Sequence, residues 1–243
     1  MTPLLDVLPD RPRRRRRSRA PWVVVLVLAV AAGLGGPVWL DARAAARFPV
    51  TAADVATGRA QLAELPVKGR APRTGYEREE FGQAWADTDR NGCDTRNDVL
   101  ARDLVDITTK PGTRDCVVLT GTLHDVYTGT TIDFERGERS SEVQVDHVVA
   151  LADAWQKGAQ AWTPEQRERF ANDPANLQAV QGRANQQKGA GDAATWLPPE
   201  KGYRCVYALR QVAVKHGYGL WVTRAEKDAL AREIDRCAVV PEG

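Results

Sequence analysis

Nineteen consecutive uncharged residues, Trp22 to Leu40 (WVVVLVLAVAAGLGGPVWL), follow a stretch at 11–19, RPRRRRRSR, that carries seven arginines. A basic segment followed by an apolar one is read by the export machinery, with the arginines kept on the cytoplasmic side. Its most apolar part, Val23 to Ala32, has the length of a signal-peptide core. Gly35, Gly36 and Pro37 then break the run ahead of the small-residue sequence DARAAA, a candidate cleavage region. Counted through to Leu40, the run is long enough to span a bilayer. The small-residue stretch lies far beyond the apolar core, which favours a retained anchor over a cleaved signal. Under either reading residues 48–243 form an exported domain, extracellular or tethered to the membrane through 22–40, and residues 1–47 are its basic, apolar appendage.

Composition matters once this division is made. The whole chain carries a formal charge of +2, but residues 48–243 hold 25 basic and 29 acidic residues, a net of −4. The domain therefore lacks a global basic field, and a polyanion must be held by a local patch or by a bound cation. All four cysteines, Cys93, Cys116, Cys205 and Cys237, fall in the exported part, an even number that points to two disulfides with three pairings open. No C-x-x-C pair is present, so the spacing argues against zinc.

Residues 51–65 have a helical pattern that Pro66 stops, and 68–75 form a Gly/Pro/basic connector. A helix is expected over 76–86, a turn-rich stretch at 87–98 and a short helix over 99–105. The pattern then changes period. CVVLTGTL and TIDFE read as strands around HDVYTGT, and EVQVDHVVAL at 142–151 reads as a third, rich in β-branched valines. Helical sequence returns at Thr163-Pro164-Glu165-Gln166, an N-cap with proline and a capping-box glutamine, and runs to about Ala171. NLQAV is a short strand, GRANQQKG one or two helical turns. The chain ends in two helices, Cys205–His216 and Arg224–Cys237, the second opened by the box Thr223-x-x-Glu226. A short connection makes such helices antiparallel, which brings Cys205 beside Cys237 and leaves Cys93 for Cys116. The pattern describes one α+β domain.

Within 142–151, Asp146 and His147 stand side by side in a strand, where neighbours point to opposite faces. Together with Asn176-Leu177, Asn185 and Lys188 in NDPANLQAVQGRANQQKGAGD, they resemble the ββα-metal motif of the HNH endonucleases. The flanking CVVLTGTLHDVYTG, DHVVALADAW, NDPANL and WLPP look more specifically like the C-terminal domain of GmrSD-type restriction enzymes and secreted actinobacterial relatives. This similarity covers about residues 75–225, with the motif core at about 116–192. It implies a ββα-metal (HNH) core embedded in a mainly helical domain, and a metal-dependent endonuclease that hydrolyses phosphodiester bonds of DNA, or of RNA too, leaving a 5′-phosphate.

In that chemistry the attacking water and the leaving oxygen lie on opposite sides of phosphorus, so a base and a metal must flank the phosphate. Divergent side chains suit this. Asp146 and Asn185 are then the metal ligands, His147 the general base, Asn176 the acceptor that fixes its tautomer, and Lys188, with Arg96, phosphate contacts. Asn185 is a hard oxygen ligand, which favours Mg²⁺ or Mn²⁺ over Zn²⁺. No organic cofactor is implied. No separate module for reading base edges is visible, so low sequence selectivity is expected. The runner-up reading is a noncatalytic envelope protein that uses the same fold to bind nucleic acid or a protein partner.

The remaining candidates carry two readings each. Asp87, Asp89, Asn91 and Asp98, with Gly92 between, match the oxygen positions of an EF-hand loop and suggest a structural Ca²⁺; an Asx-rich turn is the alternative. Arg96 contacts a phosphate or pairs with a buried Asp. His124 and His216 read as surface histidines and Asn172 as a helix C-cap. Trp85, Trp155, Trp162, Trp196 and Trp221 read as core or boundary aromatics, not base-stacking platforms.

Overall fold

The computed structural model describes residues 47–240 and, before them, Val25 alone. The expected anchor at 22–40 lies outside the described residues, and among these no helix is long and apolar enough to cross a membrane.

Three helices form one end of the domain: α1 (Ala52–Glu64), α6 (Arg204–Gly217) and α7 (Arg224–Asp235). The numbering anticipates their chain order. Both α1 and α7 start in capping boxes, Thr51 with Asp54 and Thr223 with Glu226, in which side chain and backbone N–H satisfy each other reciprocally. Their apolar faces bury Val55, Leu62, Val212, Leu230 and Ile234 in one cluster. The short α6–α7 link brings the ends together, and Cys205–Cys237 joins them with Cα atoms 5.2 Å apart. Cys93–Cys116 is the second disulfide. Two such bonds fit an oxidising compartment outside the cytoplasm. The Cys205–Cys237 bond closes a separation of 32 residues, so Cys205→Ser with Cys237→Ser is expected to cost about 3–4 kcal/mol of stability, read as a lower midpoint in denaturant unfolding.

At the other end, α2 (Thr95–Asp103) packs on an antiparallel sheet of order β1 (Leu104–Thr109), β2 (Val118–His124), β3 (Thr131–Glu135). The expected helix over 99–105 therefore starts earlier and gives way to β1, a strand the sequence reading did not contain. The β1 residues beyond Leu104 are mostly exposed, and its register shifts around Asp106, whose φ is 51°. A bulged, solvent-facing edge strand has no period-2 apolar signature to read. The expected helix over 76–86 is also absent: a single 3-10 turn, Arg78–Phe81, ends at Gly82 with φ 74°. Only Phe81 is buried there, so no apolar face exists to hold a helix down.

Between these ends lies a two-stranded antiparallel pair, β4 (Val143–His147) and β5 (Leu177–Gln181), with Asp146 opposite Gln178 and His147 opposite Leu177. Helices α3 (Leu151–Trp155) and α4 (Pro164–Ala171) fill the connection, and α5 (Gly182–Lys188) follows β5 without a linker. The expected strand over 142–151 stops at His147 because Asn176 takes over the backbone beyond it. The Asn176 carbonyl accepts from Val148 N–H at 2.7 Å, and its side-chain oxygen accepts from Val149 N–H at 2.8 Å. Gly182 is the hinge into α5. A Cβ there would lie 2.0 Å from the Ser141 carbonyl oxygen, so only glycine permits this approach.

Candidate active site

Asp146 and His147 alternate along β4 yet both line one cleft of about 510 Å³, because His147 is the last residue of the strand and the chain turns there. Asn185, Gln144, Trp85 and the arginines Arg73, Arg78 and Arg96 share its walls.

The imidazole is buried, and its Nε2 lies 2.8 Å from the Ala171 carbonyl oxygen. A carbonyl only accepts, so Nε2 carries the proton and a neutral ring holds its lone pair on Nδ1. Burial, the Ala171 bond opposing it, and the charges of Arg78 and Lys188 together lower the pKa to about 3, so the ring is neutral across the physiological range. Asn176 does not fix the ring as expected: both ends of its amide bind Val149, with Nδ2 donating to that carbonyl at 3.3 Å. It holds the turn after His147, and the C-terminus of α4 holds the ring.

Asp146 is buried beside two donors. The Tyr127 hydroxyl donates to Oδ2 at 2.6 Å, and the Lys188 ammonium lies 2.9 Å from the carboxylate. Lys188 also donates to the His147 carbonyl at 2.7 Å. Its side chain is fully buried, which corrects the expected phosphate contact. A lysine neutralising a buried carboxylate beneath the cleft floor is out of reach of a substrate phosphate. Tyr127 is itself fully buried, and burial followed by the Asp146 charge drives its pKa well up, so it remains a donor. Asp125 sets its position by accepting from the Tyr127 and Thr128 N–H groups and, across to β5, from Gln181 N–H.

Asn185 lines the cleft one turn before Lys188; its Nδ2 donates to Gln144 Oε1 at 2.9 Å, which leaves its carbonyl oxygen without a protein donor. Lys188 lies 2.9 Å from both Asp146 oxygens and Tyr127 donates to Oδ2, so about one of the carboxylate's four acceptor directions remains. Two hard oxygens from protein, the rest from water and phosphate, is a donor set that fits Mg²⁺ or Mn²⁺.

Arg96 is half-buried, which lowers its pKa along with the neighbouring Arg136 charge, and it has no carboxylate partner among the described residues. Arg73 and Arg78, exposed on the connector and the 3-10 turn, likewise have none. These three are the local basic patch on a net acidic domain; sequence reading singled out Arg96 alone.

The calcium loop takes a different form. Asp87 and Asp89 accept from Asn91 N–H, Asp87 accepts from Gly92 N–H, and the Asn91 amide donates to Asp89 and Asp98. The carboxylates are occupied in an Asx-turn network, and no group of three or more acidic, His or Cys side chains among the described residues is arranged to hold a metal. His124 is exposed and hydrogen-bonded to Thr131; His216 pairs with Glu64 at 2.7 Å; both lie outside the cleft.

One cleft of this α+β domain thus gathers a buried imidazole, a buried carboxylate and three arginines that have no carboxylate partner among the described residues. Comparison gives the family. Residues 94–233 match the model of the GmrSD restriction endonucleases, C-terminal domain, and the chain belongs to that family. It is also 36% identical over 191 residues to a protein of Arthroderma benhamiae described as an uncharacterized secreted protein, covering 78% of this chain and 89% of that one. No solved structure matches.

Proposed function

We propose that the chain is an exported, metal-dependent endonuclease of HNH type that hydrolyses phosphodiester bonds in DNA, and in RNA too, with low sequence selectivity. The observation that carries this reading is the imidazole of His147, neutral and held at Nε2 by the Ala171 carbonyl, in a residue that lines a cleft with three arginines that have no carboxylate partner among the described residues. The strand pair β4–β5 followed directly by α5 supports a ββα reading of the core. His147 takes the proton from the attacking water. Arg96, Arg78 and Arg73 hold the phosphates on either side of the scissile bond. Asp146 and Asn185 would hold Mg²⁺ or Mn²⁺, which when bound stabilises charge on the leaving oxygen. Lys188 and Tyr127 orient Asp146. The relative described as secreted, together with the two disulfides, supports placing the domain outside the cell; residues 22–40 would tether it if retained.

The purified full chain incubated with plasmid and Mg²⁺ is expected to nick it. Absence of nicking across Mg²⁺, Mn²⁺ and Ca²⁺ would overturn the proposal. Arg96→Ala is expected to raise KM about tenfold with kcat less changed, as for loss of a charge-assisted phosphate contact, and to flatten the salt dependence of binding. One observation favours a second reading, a noncatalytic nucleic-acid-binding envelope protein: the Asp146 carboxylate is already neutralised by Lys188. On that reading the arginine variant still weakens binding, while no plasmid is cut.

A further inference from the structure

Beside the catalytic cleft lies a second cavity of about 200 Å³, lined by Phe81, Trp85, Leu151 and Ala171 and sharing Arg78, Trp85 and His147 with the cleft. We propose that Trp85 is a platform on which one unpaired nucleobase stacks, so that the substrate class is single-stranded or locally opened nucleic acid. The proposal rests on the nucleic-acid reading of the cleft and specifies how the strand lies in it.

Trp85 is the boundary aromatic its sequence context suggests, packed against the core cluster that holds Val99 and Leu100. It is half-buried and stands on the wall of both cavities, its ring 6.1 Å from that of His147 and within 15° of parallel. Its backbone has φ 60°, a left-handed conformation that a bulky L-residue adopts only when the surroundings impose it. Asn172 imposes it. From the last turn of α4, the buried Asn172 side chain donates to the carbonyls of Gln83 and Glu168 and accepts from Ala86 N–H at 2.9 Å. Thr95 donates to the Ala86 carbonyl from the other side. The expected C-cap residue thus clasps residues 83–86, and the adjacent Ala171 carbonyl holds the His147 ring. One two-residue piece of chain sets the platform and the base in fixed relation.

The occupant follows from the neighbours. Arg78 borders both cavities, so a phosphate held in the cleft places its nucleoside at the mouth of the smaller cavity. That cavity is below the ~300 Å³ at which pockets for drug-sized ligands begin, which suits one planar ring system and excludes a stacked base pair. Aromatic stacking accepts any base, consistent with low selectivity.

The test is equilibrium binding of a short fluorescein-labelled single-stranded DNA to the full chain in EDTA, compared with the same strand carrying abasic sites. The wild-type chain is expected to bind the base-bearing strand about tenfold or more tightly than the abasic one, the order that stacking of one base contributes. Trp85→Leu, which keeps apolar packing but removes the ring face, is expected to abolish that contrast; Trp85→Phe keeps most of it. Asn172→Ala, acting through the loop, is expected to reduce the contrast without changing affinity for the abasic strand. Equal wild-type affinity for both strands, or a contrast that survives in Trp85→Leu, overturns the platform. If the contrast is absent while plasmid is still nicked, the nuclease reading stands and the platform falls. If the contrast is present and nothing is cut, the platform stands and the hydrolase falls.

Discussion

Replacing His147 with alanine is expected to slow phosphodiester cleavage about 10²–10⁴-fold, the range over which a positioned general base acts, while nucleic-acid affinity changes little. Nε2 is committed to the Ala171 carbonyl, so Nδ1 is the nitrogen left to act as base. His147 is also the one imidazole in the cleft, because His124 and His216 lie elsewhere. Burial, with smaller contributions from the Arg78 and Lys188 charges, holds its pKa down and keeps the ring neutral. The substitution leaves the Ala171 carbonyl short of a donor, a loss of about 1–3 kcal/mol, so thermal unfolding must be followed beside the rate. A folded His147→Ala chain that cuts plasmid at the wild-type rate would remove His147 from the mechanism.

Much of this site could be read before folding. The pair Asp146-His147, the Asn-Leu at the second strand and the Asn-x-x-Lys of α5 are local patterns; Asp146, His147 and Asn185 line one cleft, whereas Asn176 and Lys188 are buried outside its lining. Their partners could not be assigned in the same way. Whether Lys188 meets a phosphate or a carboxylate depends on depth, and α5 is seated deep because Gly182 allows its start to press on the Ser141 carbonyl. The acceptor for His147 is a backbone carbonyl, Ala171, which carries no side-chain signal at all. Asn172 reads as a helix cap and Asn176 as the partner of the His147 ring, but an amide declares what it binds only in three dimensions, and Asn176 binds Val149 instead. Trp85 is legible as a boundary aromatic, but its place on the cleft wall does not follow from the expected helix over 76–86, because Gly82 breaks the turn and Asn172 clasps the chain at 83–86. The YTG turn was visible as part of the family pattern, yet the reason for its tyrosine, a buried hydroxyl on Asp146, required the fold.

The largest stability effect is expected outside the cleft lining, in a buried charge network that no motif announced. Lys157 lies 2.6 Å from Asp153, 2.8 Å from Asp192 and 2.6 Å from Glu226; Lys215 lies 2.7 Å from Asp153 and 2.6 Å from Glu226. Arg70 adds contacts to Asp153 and Asp192 at 3.2 and 2.5 Å. Three acids thus face three bases, and all but Arg70 are almost completely enclosed. The members come from α3 and the turn after it, from α6 and α7, and from chain segments near residues 70 and 192. Neutral as a set, the network turns costly when one member is lost, because a partner charge is then buried alone. Lys215→Met or Glu226→Gln is accordingly expected to destabilise by about 3–5 kcal/mol, a fall of roughly 6–20 °C in Tm for a domain of this size. Arg70→Ala, at the exposed edge, should cost far less. Acid supplies an independent check. Burial alone would raise the Asp192 pKa, but the hydrogen bond and charge of Lys157, with Arg70 and Lys215, bring it down to about 2 from 3.8. A depressed carboxylate contributes stability that is fully present above its unfolded pKa and lost as pH falls through the folded one, so Tm should drop between about pH 4 and pH 2. In Asp192→Asn that part of the acid dependence should disappear. Since α3 starts four residues after His147, a chain weakened at Lys215 should lose cleavage and tertiary structure at the same temperature; loss of cleavage well below the melting transition would show instead that the network tunes the site without holding the fold.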